Sequence, residues 1–225
     1  MSASYNFAGN AGINFGNLSN MDGASSATFA FWVNFNSVDS QKAFFSKYES
    51  FSNSIYYVIT EGSKVTLTIK DVGATDYVIF NSTSNIGPLF NTGQWYHICW
   101  TWSGTTTAAF YIDGVLTSSS NVTAVGTVNN IGTLTTDFEV GQLNPSSFQF
   151  DGKLSYLTLF DRVLSVPEIH ELMLKPDSIS KGLQVYIPLT ATVPTEYITG
   201  ATGTITNATG DKSGPEVYFP KNIIN

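Results

Sequence analysis

Two carboxylates stand on alternate positions in Asp137-Phe138-Glu139. Residues two apart in a strand project to the same face, so this pair would meet one common substrate. Glycoside hydrolysis uses such a pair, with an acid and a nucleophile about 5 Å apart. Here the row stops after two, because position 141 is glycine. Without a third group the pair reads as a solvent-facing structural feature, and no residue of the chain is assigned a catalytic role.

The other chemistry-bearing residues are sparse. His97 lies between Trp95 and Cys99 in an apolar run and reads as a hydrogen-bonded core or semi-core group, whereas His170, between Glu168 and Glu171, reads as part of a solvated helix face. No His/Cys pair has zinc spacing, no Ser or Cys nucleophile motif occurs, and no glycine-rich loop is placed to cradle phosphate. Cys99 is the single cysteine, so no intrachain disulfide is possible, and it reads as a small buried hydrophobe. Asp22, Asp113 and Asp151 each precede a glycine. Turn chemistry explains them, and they also remain possible oxygen ligands for calcium; no other cofactor or metal residue is expected.

Aromatic faces stack on sugar rings, which gives Trp32, Trp95, Trp100, Trp102 and the eleven tyrosines a possible binding role. Trp100 and Trp102 share one strand face opposite Trp95, so at least one set is expected in the core. Phe51, Phe90 and Phe148, outside the regular runs, are the better candidates for a contact surface. A net charge of −7 with ten Lys and Arg argues against nucleic acid as a partner. Only 12% of residues are charged, which leaves a surface of Ser, Thr, Asn and Gly. No run approaches the roughly 18 to 20 apolar residues of a membrane span, and the N-terminus has no signal-peptide pattern. Synthesis in the cytoplasm without a signal peptide, and no membrane insertion, are therefore expected.

The elements that must position these residues are strands. In 28–35, TFAFWVNF, Phe29, Phe31, Val33 and Phe35 alternate with Ala30, Trp32 and Asn34. Similar short segments recur at 42–48, 55–61, 64–71, 76–81, 94–102, 107–113, 137–142 and 152–160. Glu61-Gly62-Ser63 and Asp113-Gly114 read as hairpin turns, the latter of type I′. The pattern predicts an all-β, two-sheet antiparallel sandwich. One short helix is predicted over 165–174, with Ser165 and Glu168 as a capping box, Ile169, Leu172 and Met173 inward, and Pro176 as its stop. Strand returns at 182–189, and a final apolar segment, EVYFP, follows at 216–220.

Three stretches together resemble the laminin-G-like (LamG) branch of the concanavalin A-like lectin and glucanase superfamily: TFAFWVNF, then GQWYHICWTWSGTTTAAFYIDGV over 93–115, then FDGKLSYLTLFDRVLSVPEIHELM over 150–173. The resemblance implies a jelly roll, with residues 1–225 forming a single LamG-like domain. The glucanases' longer row of alternating carboxylates is missing. The family's calcium-site patterns also depart, because Phe7-Ala8-Gly9 and Gly152-Lys153-Leu154-Ser155 lack expected acids. A strand pattern that usually opens the family appears here at Lys181–Leu189. Residues 182–225 are thus expected to complete the sheet, as in a circular permutation, or to pair with a neighbour.

Two functions of different class follow. One is a non-catalytic structural or adhesive component of a larger assembly, such as a phage-like virion decoration, fibre or appendage protein at the particle surface, in contact with other protein subunits as an oligomer. The alternative is a lectin-like module recognising cell-surface glycans.

Overall fold

The computed structural model describes residues 3–217 except 39–40, 72–74, 105, 118, 145–146 and 191–192. Residues 218–220 of the final apolar segment lie outside the described residues. The expected two antiparallel sheets are present. The first runs β10 (Val115–Thr117), β9 (Ala108–Ile112), β8 (Trp95–Trp102), β3 (Ala27–Phe35), β13 (Gly152–Phe160), β1 (Ser4–Phe7) and β16 (Thr209–Asp211), and β14 (Leu183–Ile187) also pairs with β13. The second runs β11 (Ser119–Val125), β7 (Tyr77–Ser82), β6 (Lys64–Lys70), β5 (Asn53–Glu61), β4 (Lys42–Ser50), β12 (Phe138–Val140), β2 (Gly12–Asn14) and β15 (Thr204–Thr206).

Alternation decides which side chains lie between the sheets. Phe29, Phe31, Val33 and Phe35 of β3 face the main core, as their period of two predicts. Phe31 meets Phe44 of β4 with ring centroids 4.9 Å apart, and Phe29 stacks on Phe45 at 5.9 Å. Trp100 and Trp102 are fully buried, whereas Trp32 and Trp95 stay partly exposed on the other face. Burying each large aromatic contributes roughly 2 to 3 kcal/mol, so these pairs hold the sheets together without a disulfide. Both hairpins turn as expected: Asp113 and Gly114 have φ of 50° and 75°, and Gly62 and Ser63 have 53° and 66°.

The predicted helix is α2 (Val166–Leu174), joined by a single helical turn, α1 (Ile86–Leu89). α2 covers part of the outer face of the first sheet, with Ile169 and Leu172 against Ala30, Cys99, Tyr111 and Phe160. Cys99 is thus a packed apolar group, and burial pushes its thiol pKa up. Met173 is only half-buried. Glu168 accepts from the Ser165 backbone N–H at 2.8 Å and pairs with Arg162 at 2.6 Å, which holds its carboxyl pKa down at about 2. His170 is not simply solvated: its Nε2 lies 3.0 Å from the Gly114 carbonyl and ties the helix to the β9–β10 hairpin. A Cβ on Gly114 would fall 2.2 Å from the His170 ring, so glycine serves both the turn and this contact.

The C-terminal region pairs within its own chain. β14 runs antiparallel to β13, with Leu159 opposite Val185 and Leu157 opposite Ile187. β1 pairs with the other half of the same β13 edge, from Gly152 to Leu154. The two partners meet end to end where β13 shifts register and Tyr156 has φ of 50°. β15 then joins β2 of the second sheet, and β16 joins β1 of the first.

His97 is buried at 2% exposure, but the expected side-chain hydrogen bond is absent at Nδ1 among the described residues. Its backbone N–H instead donates to Asp113 Oδ1 at 2.8 Å. Burial pushes the imidazole pKa down to about 3 from 6.5. The unfolded chain therefore binds a proton that the native state refuses between these values, so this stability is complete above pH 6.5 and is lost as pH falls towards 3. His97→Gln is expected to flatten the pH dependence of the unfolding free energy obtained from urea titration in this window, by up to about 1.4 kcal/mol per pH unit. An unchanged slope would show that the imidazole is charged in the fold.

Candidate functional site

The side of the second sheet turned away from the main core is polar where β4, β12, β2 and β15 lie together. The register aligns Tyr57, Ser46, Glu139, Asn14 and Thr204 across five strands. Their neighbours Val58, Phe45, Val140 and Ile13 face the core. Two open cavities of about 380 and 440 Å³ lie over this row and share Asn14 and Glu139. The first also has Tyr48, Glu49, Thr136, Asp137 and Asn144 in its walls, and the second Asn10, Gln142, Gln149, Thr204 and Thr206.

Asn14 is the centre of this arrangement. Its Nδ2 donates to Glu139 Oε1 at 2.7 Å and to Asp137 Oδ2 at 3.0 Å, while its Oδ1 accepts the Gly16 N–H at 2.7 Å. Gln142 Nε2 donates to the other Glu139 oxygen at 2.8 Å. Gln142 can lie there because Gly12 has no side chain: a Cβ would fall 2.2 Å from the Gln142 amide carbon. At one end Tyr48 stands edge-on to Tyr57 at 5.3 Å, and Asn144 donates to the Glu49 carbonyl at 3.1 Å.

Asp137 and Glu139 do share a face, as their spacing requires, but Glu139 is not solvent-facing. It is 2% exposed. Burial holds its carboxyl pKa above the usual range, the bonds from Gln142 and Asn14 oppose this, and the nearby charge of Asp137 adds to the rise. Both oxygens already accept amide N–H bonds, whereas a general acid must aim an O–H at its leaving group. The group therefore orients Asn14 and Gln142. Those two amides carry no signal in the sequence, since Asn14 lies 125 residues from Glu139 and meets it only through strand pairing.

The remaining candidates are dispersed. Asp22 pairs with the buried Lys47 at 3.1 Å, Asp113 caps the His97 N–H, and Asp151 accepts from Asn36 at 3.0 Å. Among the described residues no three His, Cys, Asp or Glu side chains converge as a metal site. Phe90 is buried against Phe35 and Tyr96, contrary to the expected contact role. Phe51 is 47% exposed beneath the Lys70 ammonium, 3.7 Å from its ring centre, and Phe148 lines a third cavity beyond Gln149.

Residues 7–170 match the laminin G family model described as concanavalin A-like lectin/glucanases superfamily. A rat protein, sushi, von Willebrand factor type A, EGF and pentraxin domain-containing protein 1, is 32% identical over 125 residues. That match covers 52% of this chain and 3% of the relative's length. Among solved structures, a putative carbohydrate binding protein of Bacteroides ovatus aligns with a TM-score of 0.66 at 17% identity, covering 97% of this chain and 62% of the other. The heptameric SAP-like pentraxin of Limulus polyphemus aligns at 0.63 and 14% identity, covering 93% and 94%. Domain 4 of a GH43 extracellular arabinanase from Geobacillus stearothermophilus, in complex with arabinotriose, aligns at 0.51 and 16% identity, covering 72% and 71%.

Because the Glu139 pKa is raised on folding, its ionisation works against the native state: the favourable contribution is complete below the unfolded carboxyl value and is lost as pH rises through the native one. Glu139→Gln, titrated by urea unfolding between pH 4 and 7, is expected to remove that fall. If the variant keeps the wild-type slope, Glu139 is not the group that titrates.

Proposed function

The chain belongs to the concanavalin A-like lectin/glucanases superfamily, and we propose that it is a non-catalytic, lectin-like adhesive module that holds neutral glycans in the trough over β4, β12, β2 and β15. The observation that carries this reading is the lining itself. Amides, hydroxyls and carboxylates offer donors and acceptors at fixed positions, and Tyr48 supplies an aromatic wall. Asp137 and Glu49 at that end disfavour anionic sugars by like-charge repulsion. The Bacteroides protein named for carbohydrate binding and the arabinotriose-bound domain support the same ligand class.

The module's setting in this proposal is the surface of a larger assembly, such as a phage-like virion. The exposed edge strand β10, with Val115 and Leu116 at 67% and 63% exposure, supports contact with other protein subunits there. Calcium stays outside the proposed mechanism, since Asp22, Asp113 and Asp151 are engaged separately.

A glycan array run with calcium, and again with a chelator, is expected to give saturable neutral hits that Tyr48→Ala weakens about tenfold or more, with no cleavage of the bound glycan. A blank array would remove the lectin reading. Hydrolysis lost in Asp137→Asn would overturn the non-catalytic one, and loss of hits in chelator would place a metal in the site.

A further inference from the structure

The family match ends at residue 170, yet the trough does not. Its far wall is β15, whose Thr204 and Thr206 lie on the same face of the strand and line the second cavity. Thr204 is paired directly with Asn14, which with Glu139 is shared by both cavities. Ile205, between the threonines, is paired with the buried Ile13 and is itself 38% exposed.

β15 is held firmly for so short a strand. Gly203 allows its close approach, since a Cβ there would fall 2.5 Å from Ile13. The loop before it is organised by Glu196, a fully buried carboxylate that accepts the backbone N–H groups of Tyr186, Ile198 and Thr199 at 3.0, 2.9 and 2.6 Å. The loop is returned to β15 by the Gly203 N–H bond to the Pro194 carbonyl at 2.8 Å. Past the strand, Asn207 donates to the Asn10 carbonyl at 3.1 Å. Two exposed hydroxyls are thus presented on a backbone fixed from both sides.

We infer that the segment after residue 170 builds an extra subsite, in which Thr204 and Thr206 bind the far end of a linear neutral oligosaccharide and set its preferred length. This rests on the lectin reading above. Crossing from β4 to β15 takes three strand intervals of about 4.8 Å each, a run of about 14 Å that accommodates roughly three sugar rings. Glu49, Asp137 and Tyr48 line only the cavity at the β4 end, so a short ligand is held there without β15, and the threonines add affinity only once the ligand is long enough to reach them.

The test uses the full chain and ladders of malto-, cello- and arabino-oligosaccharides from two to six units, titrated calorimetrically. In the best-bound ladder, wild-type affinity is expected to rise up to about three or four units and then level off. The double variant Thr204→Val, Thr206→Val keeps the β-branched shape and is expected to lose about tenfold for the longer members while binding the disaccharide unchanged. Thermal unfolding within 2 °C of wild type establishes that β15 is still in place, and Thr204→Ser, Thr206→Ser is expected to restore binding. Equal affinity of wild type and the valine variant for every length would overturn the subsite while leaving the lectin reading intact. A uniform loss at all lengths would also overturn it, and no binding by wild type to any ladder would remove both.

Discussion

Everything in the first sheet depends on how the edge of β13 is filled. β3 covers one side of that strand along nearly its whole length, and two separate pieces of chain, β1 and β14, cover the other. Backbone N–H and C=O groups left buried and unpaired are costly, so a central strand of nine residues needs a partner throughout. The register shift between Ser155 and Thr158 lets one partner end and the other begin. Ser155 occupies that gap, its hydroxyl donating to the Ala3 carbonyl at 2.8 Å and lying 3.2 Å from the Pro188 carbonyl. The N-terminal strand and the C-terminal segment are therefore fixed by the same constraint.

That arrangement brings the C-terminal segment to the trough. Once β14 lies beside β13, the chain must return over the sandwich edge, and it pairs first with β2 and then with β1. Both sheets gain an extra edge strand from a single stretch. The cost of ordering it is met by backbone pairing and by Glu196, which accepts the Tyr186 N–H of β14 and two N–H groups of its own turn. The family resemblance of residues 7–170 thus describes the sandwich, while the segment beyond it finishes the sheets and one wall of the cleft.

The sandwich was legible in the sequence because its signals are local. Alternation in TFAFWVNF, the Asp113-Gly114 turn and the Ser165–Glu168 cap each act over a few residues, and each has the expected structural role. The site was not legible for the opposite reason. Asp137 and Glu139 were visible as a pair, but their meaning depends on Asn14, and on Gln142 lying over Gly12, contacts that only the sheet order creates. His170 and Phe90 illustrate the same limit. Their surroundings in sequence are polar or loop-like, while their contacts in space are a hairpin carbonyl and the rings of Phe35 and Tyr96.

Under the proposed lectin reading, the cluster at Asn14 also explains why a buried carboxylate can belong to a recognition surface. An amide side chain left free would sample both flips and several rotamers, and a ligand would have to select one of them. Bound between two carboxylates on one side and the Gly16 N–H on the other, Asn14 has a single orientation. Glu139 does the same for Gln142 with its second oxygen. The desolvation that raises the Glu139 pKa is only partly offset by these bonds, which form during folding, before any ligand arrives. A site whose polar groups are already ordered loses less entropy on binding, so the weak individual contacts to sugar hydroxyls that the proposed function calls for would add up to a useful affinity.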